Sequence, residues 1–215
     1  MIAENLAELR RRITEACARA GRDPASVTLV AVSKTKPAEA VREALAAGQR
    51  HFGENYVQEF LPKQQAVGEG AIWHFVGRLQ RNKAKDLVGR VALIHGVDSL
   101  ALAETISRRA AAARVIQDVL VEVNFGGEAS KGGVAPSESA ALLDAMATLV
   151  GIRVRGLMVM PPPEEDPRPH FRAARELAAA RGLPELSMGM TADFEVAIEE
   201  GSTLVRIGTA AFGKR

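Results

Sequence analysis

Cysteine is almost absent from this sequence, since Cys17 is the only one among 215 residues. A single thiol excludes an internal disulfide and any metal cage built from cysteines, and such usage is typical of a reducing cytoplasm. The four histidines are scattered without ligand-like spacing, so we predict no metal site. No apolar run approaches the roughly 20 residues of a membrane span, and the N-terminus does not resemble a signal peptide. We therefore expect a cytoplasmic protein that makes no contact with a membrane.

A surplus of either charge is also missing. The chain carries 28 basic and 26 acidic residues, for a formal net charge of +2. So small a surplus does not make a basic protein, and nucleic-acid binding is therefore not indicated. Residues 1–215 are long enough for one sizeable core but short for two domains, which predicts a single domain. No exposed apolar helix face stands out, which favours a monomer.

What the sequence does contain is a regular alternation of short apolar segments and helical patterns. The predicted strands are 27–34, 51–55, 72–77, 92–97, 118–124, 152–160, 186–190 and 203–208. The predicted helices are 2–20, 37–47, 56–67, 82–88, 99–113, 136–149, 166–181 and 191–200. Pro62 is expected to kink or split the third of these helices.

The order of these elements predicts the fold class. Eight strands alternating with helices indicate an α/β protein, a single (β/α)8 TIM barrel whose strands are buried on both faces. Only seven residues follow Gly208, which is too few for a helix after strand eight. The helix at 2–20 would then cover the gap between strands eight and one. A doubly wound open sheet is the alternative that the pattern leaves open.

The first predicted strand runs directly into a lysine. The seven residues before Lys34 are mostly β-branched or apolar, which puts the Lys34 amine at the carboxyl end of a strand. Ligands of α/β folds bind at that end. An amine desolvated there becomes a usable nucleophile toward a carbonyl carbon. The alternative is a lysine whose side chain extends from the strand end into water.

Strands seven and eight end in residues suited to an anion. Barrels of this kind often hold a phosphate on the loops after these two strands. The segment from Ser187 to Thr191, which ends strand seven, supplies two hydroxyls, and Gly208 and Thr209 add a small residue and a third hydroxyl at the end of strand eight. Asp193 counts against such a site, because its carboxylate would repel a phosphate unless it points outward. A nucleophilic lysine and a phosphate site at one barrel mouth predict a phosphorylated aldehyde as ligand, and pyridoxal phosphate fits that description.

Six short segments together carry a pattern found in a known family. They are VSKTKP at 32–37, FGENYVQE at 52–59, WHFVG at 73–77, LQ at 79–80, SMGMTAD at 187–193 and VRIGT at 205–209. They span almost the whole chain in the right order, and their joint occurrence is specific. On these segments the chain resembles the pyridoxal-phosphate homeostasis protein family. That family is similar to the N-terminal barrel of alanine racemase, fold type III of the pyridoxal-phosphate enzymes, without that enzyme's second domain.

The resemblance implies pyridoxal 5′-phosphate as cofactor and assigns residues to it. Lys34 matches the lysine that forms the Schiff base, Arg206 the arginine facing the pyridine nitrogen, and Asn55 a residue lining the pocket. The region that binds the phosphate is matched by Ser187, Met190, Thr191, Gly208 and Thr209. Lys131 matches a family loop lysine that would act as a secondary attachment or transfer point. Position 191 is Thr where many relatives carry Ser, which keeps the hydroxyl.

We expect a carrier without robust catalysis and with no catalytic residues, which stores or buffers the cofactor or delivers it to dependent apoenzymes. An arginine opposite the pyridine nitrogen leaves that nitrogen unprotonated, which weakens the ring as an electron sink. For Arg206 an ion pair with Glu122 remains the alternative. Two enzymatic alternatives also stay open. An amino-acid racemase would need a second base, from Tyr56, His74 or His95, and a class I aldolase would use the lysine alone.

Overall fold

A computed structural model describes residues 1–127 and 132–213 and shows a closed barrel of eight parallel strands in chain order. The strands are β1 (Thr28–Val32), β2 (His51–Glu54), β3 (Ile72–Phe75), β4 (Leu93–Val97), β5 (Gln117–Val123), β6 (Ile152–Val159), β7 (Glu185–Ser187) and β8 (Leu204–Ile207). The barrel closes where β1 pairs in parallel with β8. The predicted TIM barrel is therefore confirmed, and the open doubly wound sheet is wrong.

Helices connect the strands on the outside of the barrel. They are α1 (Ile2–Arg19), α2 (Ala38–Ala46), α3 (Val57–Val67), α4 (Leu100–Ala112), α5 (Pro136–Met146), α6 (Pro167–Ala180), α7 (Phe194–Glu199) and α8 (Thr209–Phe212). The connection after β3 is a 3-10 helix, Arg81–Asp86, and a second short one, Pro24–Ser26, precedes β1. Pro62 does not split α3. The expectation of no helix after β8 is wrong, because α8 forms a single turn there. None of the helices within the described residues is both long and apolar enough to cross a bilayer.

The N-terminal helix covers the gap between β8 and β1, as expected. A helix of only four residues, α8, is too short to cover it, and α1 packs against α2, α7 and α8. Its apolar stripe of Leu6, Leu9 and Ile13 is buried. Arg19 also ties α1 to α7, with its Nε 3.0 Å from Glu199 Oε1. Burial of the stripe contributes most of the attachment, because partly exposed ion pairs are worth little.

Two predicted strands are shorter than the sequence suggests. β1 ends at Val32, so Lys34 lies two residues beyond it, in a turn. β7 ends at Ser187 and not at residue 190. The reason in the second case is Gly189, whose φ of +93° is incompatible with an extended strand. Both differences move the residues at the strand ends from the sheet into the loops around the barrel mouth.

The barrel interior is apolar at one level and polar above it. A small cluster of Val30, Leu93, Leu120, Met158 and Leu204 fills the interior, separate from the larger core between barrel and helices. Side chains alternate between the two faces of a strand, so the residues two positions further along also face inward. On β4, β5 and β8 these are His95, Glu122 and Arg206. The fold therefore buries polar groups directly below the mouth.

Candidate functional site

A cleft of about 660 Å³ opens at the carboxyl end of the barrel. Of the eight cofactor-binding residues predicted from the sequence, those that line it are Lys34, Asn55, Met190, Thr191, Arg206, Gly208 and Thr209. Ser187 does not line it, and Lys131 lies outside the described residues. The strand order thus brings together seven residues that come from four distant parts of the sequence.

The turn that carries Lys34 is held from both sides by α3. Lys63 donates from Nζ to the Ser33 carbonyl oxygen at 2.7 Å, and Glu59 accepts from the Thr35 backbone N–H at 2.7 Å. Thr35 has a φ of +63°, a left-handed conformation that costs a β-branched residue about 1–3 kcal/mol. A strained residue next to the predicted nucleophile is a local sign of function. No described residue forms a hydrogen bond or ion pair with the Lys34 ammonium, which leaves it available to a ligand.

A buried ion pair supports that turn from below. Lys63 pairs with Glu54, and Ser33 Oγ donates to the same Glu54 oxygen at 2.6 Å. Burial raises the pKa of the Glu54 carboxyl, and the Lys63 ammonium and Ser33 hydroxyl oppose that shift. Removing one partner of a buried pair leaves an uncompensated charge, so each member depends on the other. Sequence reasoning missed Lys63, because its position on α3 gives no sign that it turns inward.

The turns after β7 and β8 present unpaired hydrogen-bond donors. Within the described part of the chain, the backbone N–H groups of Thr191, Ala192, Thr209 and Ala210 donate to no protein acceptor. The hydroxyl groups of Thr191 and Thr209 likewise form no hydrogen bond to a described residue. Asp193, the residue expected to oppose a phosphate here, accepts from the Met190 N–H at 2.6 Å. Its carboxylate therefore organises the turn, and the donors around it suit an anion.

Asn55 lines the cleft just beyond the end of β2, and its backbone passes close to Gly77. The Asn55 Oδ1 atom is buried and has no hydrogen-bond partner among the described residues. Such an orphaned acceptor is uncommon in a folded protein and indicates a missing ligand or water. A side chain at Gly77 would place its Cβ 2.2 Å from the Asn55 carbonyl oxygen, so only glycine lets the Asn55 backbone pass there.

Arg206 lies at the cleft floor, 5% exposed. Its Nη1 donates to the carbonyl oxygen and to Oγ of Ser187, both at 2.6 Å, and its Nη2 donates to the Val159 carbonyl oxygen at 3.0 Å. Burial lowers the pKa of Arg206 to about 10, while the charges of Glu122 and Asp193 oppose that shift. The alternative ion pair with Glu122 is not formed within 4 Å. The guanidinium is instead fixed by neutral acceptors.

Ser187 plays a different part from the phosphate contact expected of it. Its hydroxyl is fully buried between Arg206 and His95, whose Nδ1 lies 2.8 Å from Ser187 Oγ. From His95 the contacts continue through His74 to His51, with ring nitrogens 3.0 and 2.9 Å apart. The three histidines stand on neighbouring strands, and each is an interior neighbour of the next. The sequence showed only single histidines in apolar strands, because the pairing of their side chains depends on the barrel.

Two further observations concern the described residues only. No group of three or more His, Cys, Asp or Glu side chains in residues 1–127 and 132–213 is placed to hold a metal ion. Tyr56, a candidate base for racemisation, is 49% exposed and lines a neighbouring cleft of about 790 Å³, together with Arg78, Arg81 and Lys83. Only Asn55 lines both clefts.

Comparison with known families matches residues 4–215 to the N-terminal domain of alanine racemase. The chain is 49% identical over 222 residues to the pyridoxal phosphate homeostasis protein of Aquifex aeolicus, an alignment that covers 99% of this chain and 97% of that relative. It is 48% identical to the protein of the same name from Pseudomonas aeruginosa, over 100% of this chain and 96% of the relative.

Solved structures agree with this match. PipY of Synechococcus elongatus has been solved with PLP bound, and that structure superposes with a TM-score of 0.86 at 39% identity, covering 99% of this chain and 100% of PipY. Its structure without PLP gives a TM-score of 0.88 at 40% identity, with the same coverage. Alanine racemase of Clostridium difficile gives 0.76 at 16% identity, covering 100% of this chain and 56% of the racemase, and that likeness concerns the fold alone.

Proposed function

The chain belongs to the family of the alanine racemase N-terminal domain and, within it, to the pyridoxal phosphate homeostasis proteins, and from this we propose that it binds pyridoxal 5′-phosphate in the cleft at the barrel mouth. Its role is cofactor homeostasis, by storage, buffering or delivery, without robust catalysis. One observation carries the proposal. The unpaired Lys34 amine and the unpaired donors of Thr191 and Thr209 line one cleft, as a phosphorylated aldehyde requires.

The residues of the cleft fit this cofactor on independent grounds. Three backbone N–H groups, of Thr191, Ala192 and Thr209, and the hydroxyls of both threonines have no acceptor among the described residues and form a donor set for a phosphate dianion. The orphaned Asn55 Oδ1 provides an acceptor for a ligand hydroxyl. We propose that Arg206 donates a hydrogen bond to the ring nitrogen of the cofactor. A guanidinium has only donors, and an unprotonated ring nitrogen has a lone pair that can accept. Met190 and Val76 add apolar walls.

The protein's contribution is binding and orientation. When bound, the cofactor supplies an aldehyde that condenses reversibly with a primary amine and releases water. Lys34 supplies the amine, and Lys63 and Glu59 hold the turn that aims it. Arg206 would donate toward the ring nitrogen and, with a pKa of about 10, keeps its proton at neutral pH, so it would leave that nitrogen unprotonated. An unprotonated ring is a weak electron sink, which suits a protein that must carry the cofactor without consuming amino acids.

The lining of the cleft supports a carrier over a racemase. Its ionisable side chains within the described residues are Lys34, Lys36 and Arg206. Racemisation needs a base on each face of the substrate. Tyr56 lines the neighbouring cleft, and His74 and His95 are buried below the floor. Incubation of the loaded protein with a panel of amino acids in deuterium oxide tests this point. We expect no exchange at the α-carbon, and rapid exchange would establish the racemase alternative.

The binding site itself is tested with pyridoxal 5′-phosphate and borohydride. We expect a visible absorption band, and after reduction a cofactor mass on the peptide that contains Lys34. Lys34→Ala should abolish both signals, and the matched variant Lys36→Ala, from the same cleft, should retain them. Label on Lys36 alone would refute the assignment. A colourless protein that is instead trapped with a sugar-phosphate ketone would indicate the aldolase.

The setting of this function is also part of the proposal. We infer that PLP-dependent apoenzymes receive the cofactor, that the protein acts as a monomer, and that it works in the cytoplasm. The cysteine usage supports the last point, since a single thiol is typical of a reducing compartment. Transfer is measured by mixing the loaded protein with an apoenzyme in the presence of a scavenger of free cofactor. Activation that the scavenger abolishes would exclude direct transfer. Sedimentation velocity tests the monomer.

A further inference from the structure

We propose that His51, His74, His95 and Ser187 form a one-way hydrogen-bond chain whose task is to hold the guanidinium of Arg206 at the floor of the cleft. The inference deepens the proposed function and rests on it, because holding Arg206 matters when a ring lies against it. None of the four residues lines the cleft, so they are positioning residues that act through Arg206.

The three histidines of the hydrogen-bond chain lie at successive levels of the barrel interior. His51 is opposite Ile72 across the β2–β3 pair, and His74 lies two residues further along β3. Across β3–β4, Leu93 is opposite His74, and His95 again lies two residues further. Each histidine is therefore one interior level above the previous one. The chain starts at the half-buried His51 near the amino end of the barrel.

The contacts are continuous from end to end. His51 Nδ1 lies 2.9 Å from His74 Nε2, and His74 Nδ1 lies 3.0 Å from His95 Nε2. His95 Nδ1 lies 2.8 Å from Ser187 Oγ, and Arg206 Nη1 lies 2.6 Å from the same oxygen. All of these separations are within ordinary hydrogen-bond range.

Arg206 determines the direction of every bond in the chain. A guanidinium has donors only, so Ser187 Oγ must accept from it and has a single hydrogen left to donate. The remaining contact of that oxygen is His95 Nδ1, and no other described residue offers an acceptor for the buried hydroxyl hydrogen. Because buried hydroxyl hydrogens are rarely left unbonded, His95 Nδ1 is the acceptor. His95 therefore carries its proton on Nε2 and donates to His74, and His74 for the same reason donates from Nε2 to His51. One tautomer, Nε2–H, is predicted for all three rings.

Neutral imidazoles are required for this arrangement, and burial supplies them. A protonated ring would carry hydrogens on both nitrogens and would set two N–H groups face to face within the chain. Burial lowers the pKa of His74 to about 3, with a smaller contribution from His51. Burial, with His74 and Arg206 adding to it, lowers the pKa of His95 well below its ordinary value, and burial also lowers that of His51. The chain is thus intact at neutral pH.

Nitrogen NMR of the cofactor-free protein tests the direction of the chain without any bound ligand. Long-range 15N–1H spectra distinguish the two imidazole tautomers. We expect Nε2–H for His51, His74 and His95, while His170, which contacts Glu165 away from the barrel interior, serves as internal reference. The Nδ1–H tautomer at His74 or His95 would overturn the proposal. This measurement stands even if the protein fails to bind the cofactor, so it separates this inference from the proposed function.

Variants at the middle of the chain test its effect on Arg206. His74→Leu interrupts the chain, whereas His74→Gln keeps one acceptor and one donor. We expect His74→Leu to shift the absorption band of bound pyridoxal 5′-phosphate and to weaken its binding about tenfold, as losses behind a binding residue commonly do. His74→Gln should restore most of both, and His170→Gln should change neither. A folded His74→Leu protein, judged by circular dichroism, with the wild-type band and affinity would refute the inference. If His74→Leu does not fold, the imidazole tautomers of the wild-type protein and the absorption band and affinity of His74→Gln decide whether the proposal stands.

Discussion

Acidification should destabilise this protein through histidines that the fold keeps neutral, and replacing one of them should remove a defined share of that loss. His74 and His95 are 4% and 0% exposed. Burial lowers the pKa of His74 to about 3 and that of His95 well below its ordinary value. In the unfolded chain both return to about 6.5. The unfolded state therefore binds more protons below that pH, and stability falls as the pH falls.

The magnitude depends little on the folded-state value once that value lies below the pH of the experiment. Each histidine that stays neutral in the folded state lowers the free energy of unfolding by about 1.4 kcal/mol per pH unit. Over the roughly 1.5 pH units from pH 6.5 to pH 5 this amounts to about 2 kcal/mol. His95 adds a loss of the same sign, and the share of His74 alone is already substantial beside the 5–15 kcal/mol typical of a domain. The loss begins as the pH falls through 6.5 and ends near pH 3 for His74.

Two buried carboxyl groups act in the opposite sense. Burial raises the pKa of Glu54 and of Glu122, so the folded state holds those protons at a pH where the unfolded chain has released them. Their effect partly offsets the histidines on acidification. A comparison between wild type and His74→Gln cancels it, because both proteins contain both carboxyl groups.

Urea unfolding of cofactor-free protein at pH 7 and pH 5 measures the difference. We expect the loss of unfolding free energy between these pH values to be about 2 kcal/mol smaller in His74→Gln than in wild type. His170→Gln is the matched control and should keep the wild-type loss, since His170 lies outside the barrel interior. An equal loss in His74→Gln and wild type would refute the reasoning. It would mean that His74 is protonated in the folded protein or that the barrel admits water.

The remaining predictions concern stability at neutral pH. Lys63→Met should lower the unfolding free energy by about 3–5 kcal/mol, because it leaves Glu54 buried without its cation. Replacement of exposed lysines should give small changes. An unchanged urea midpoint in Lys63→Met would contradict the buried ion pair. Gly189→Ala should lower the unfolding free energy by about 2–4 kcal/mol, since its Cβ would lie 2.6 Å from a methyl group on α7. Gly182 also has a positive φ but open space around it, so Gly182→Ala should cost only about 1 kcal/mol. Equal thermal shifts in the two variants would argue against a steric clash at position 189. Lys34→Ala should leave the thermal midpoint of the cofactor-free protein within about 2 °C, because its amine has no partner to lose among the described residues; a large drop would assign Lys34 a structural role.

Most residues of the candidate site were predicted from their positions at the ends of strands. Lys34, Asn55, Thr191 and Thr209 were expected around one mouth because parallel strands of a barrel end on the same rim, and all of them line the cleft. The details were less accurate. Lys34 lies two residues beyond its strand, held by contacts from α3 that follow no local pattern. Ser187 was expected near the phosphate because of its place at the end of strand seven, yet its side chain faces the interior and contacts Arg206.

The sequence by itself determined the barrel, its order of strands and the rim on which Lys34 and Thr209 meet. These follow from alternation of apolar segments and from the positions of strand ends, which are local properties of the chain. Only the tertiary structure decided which side chains meet inside. The contacts among His51, His74, His95 and Ser187 join strands up to 92 residues apart, and their partners depend on closure and stagger of the barrel, which no local pattern encodes.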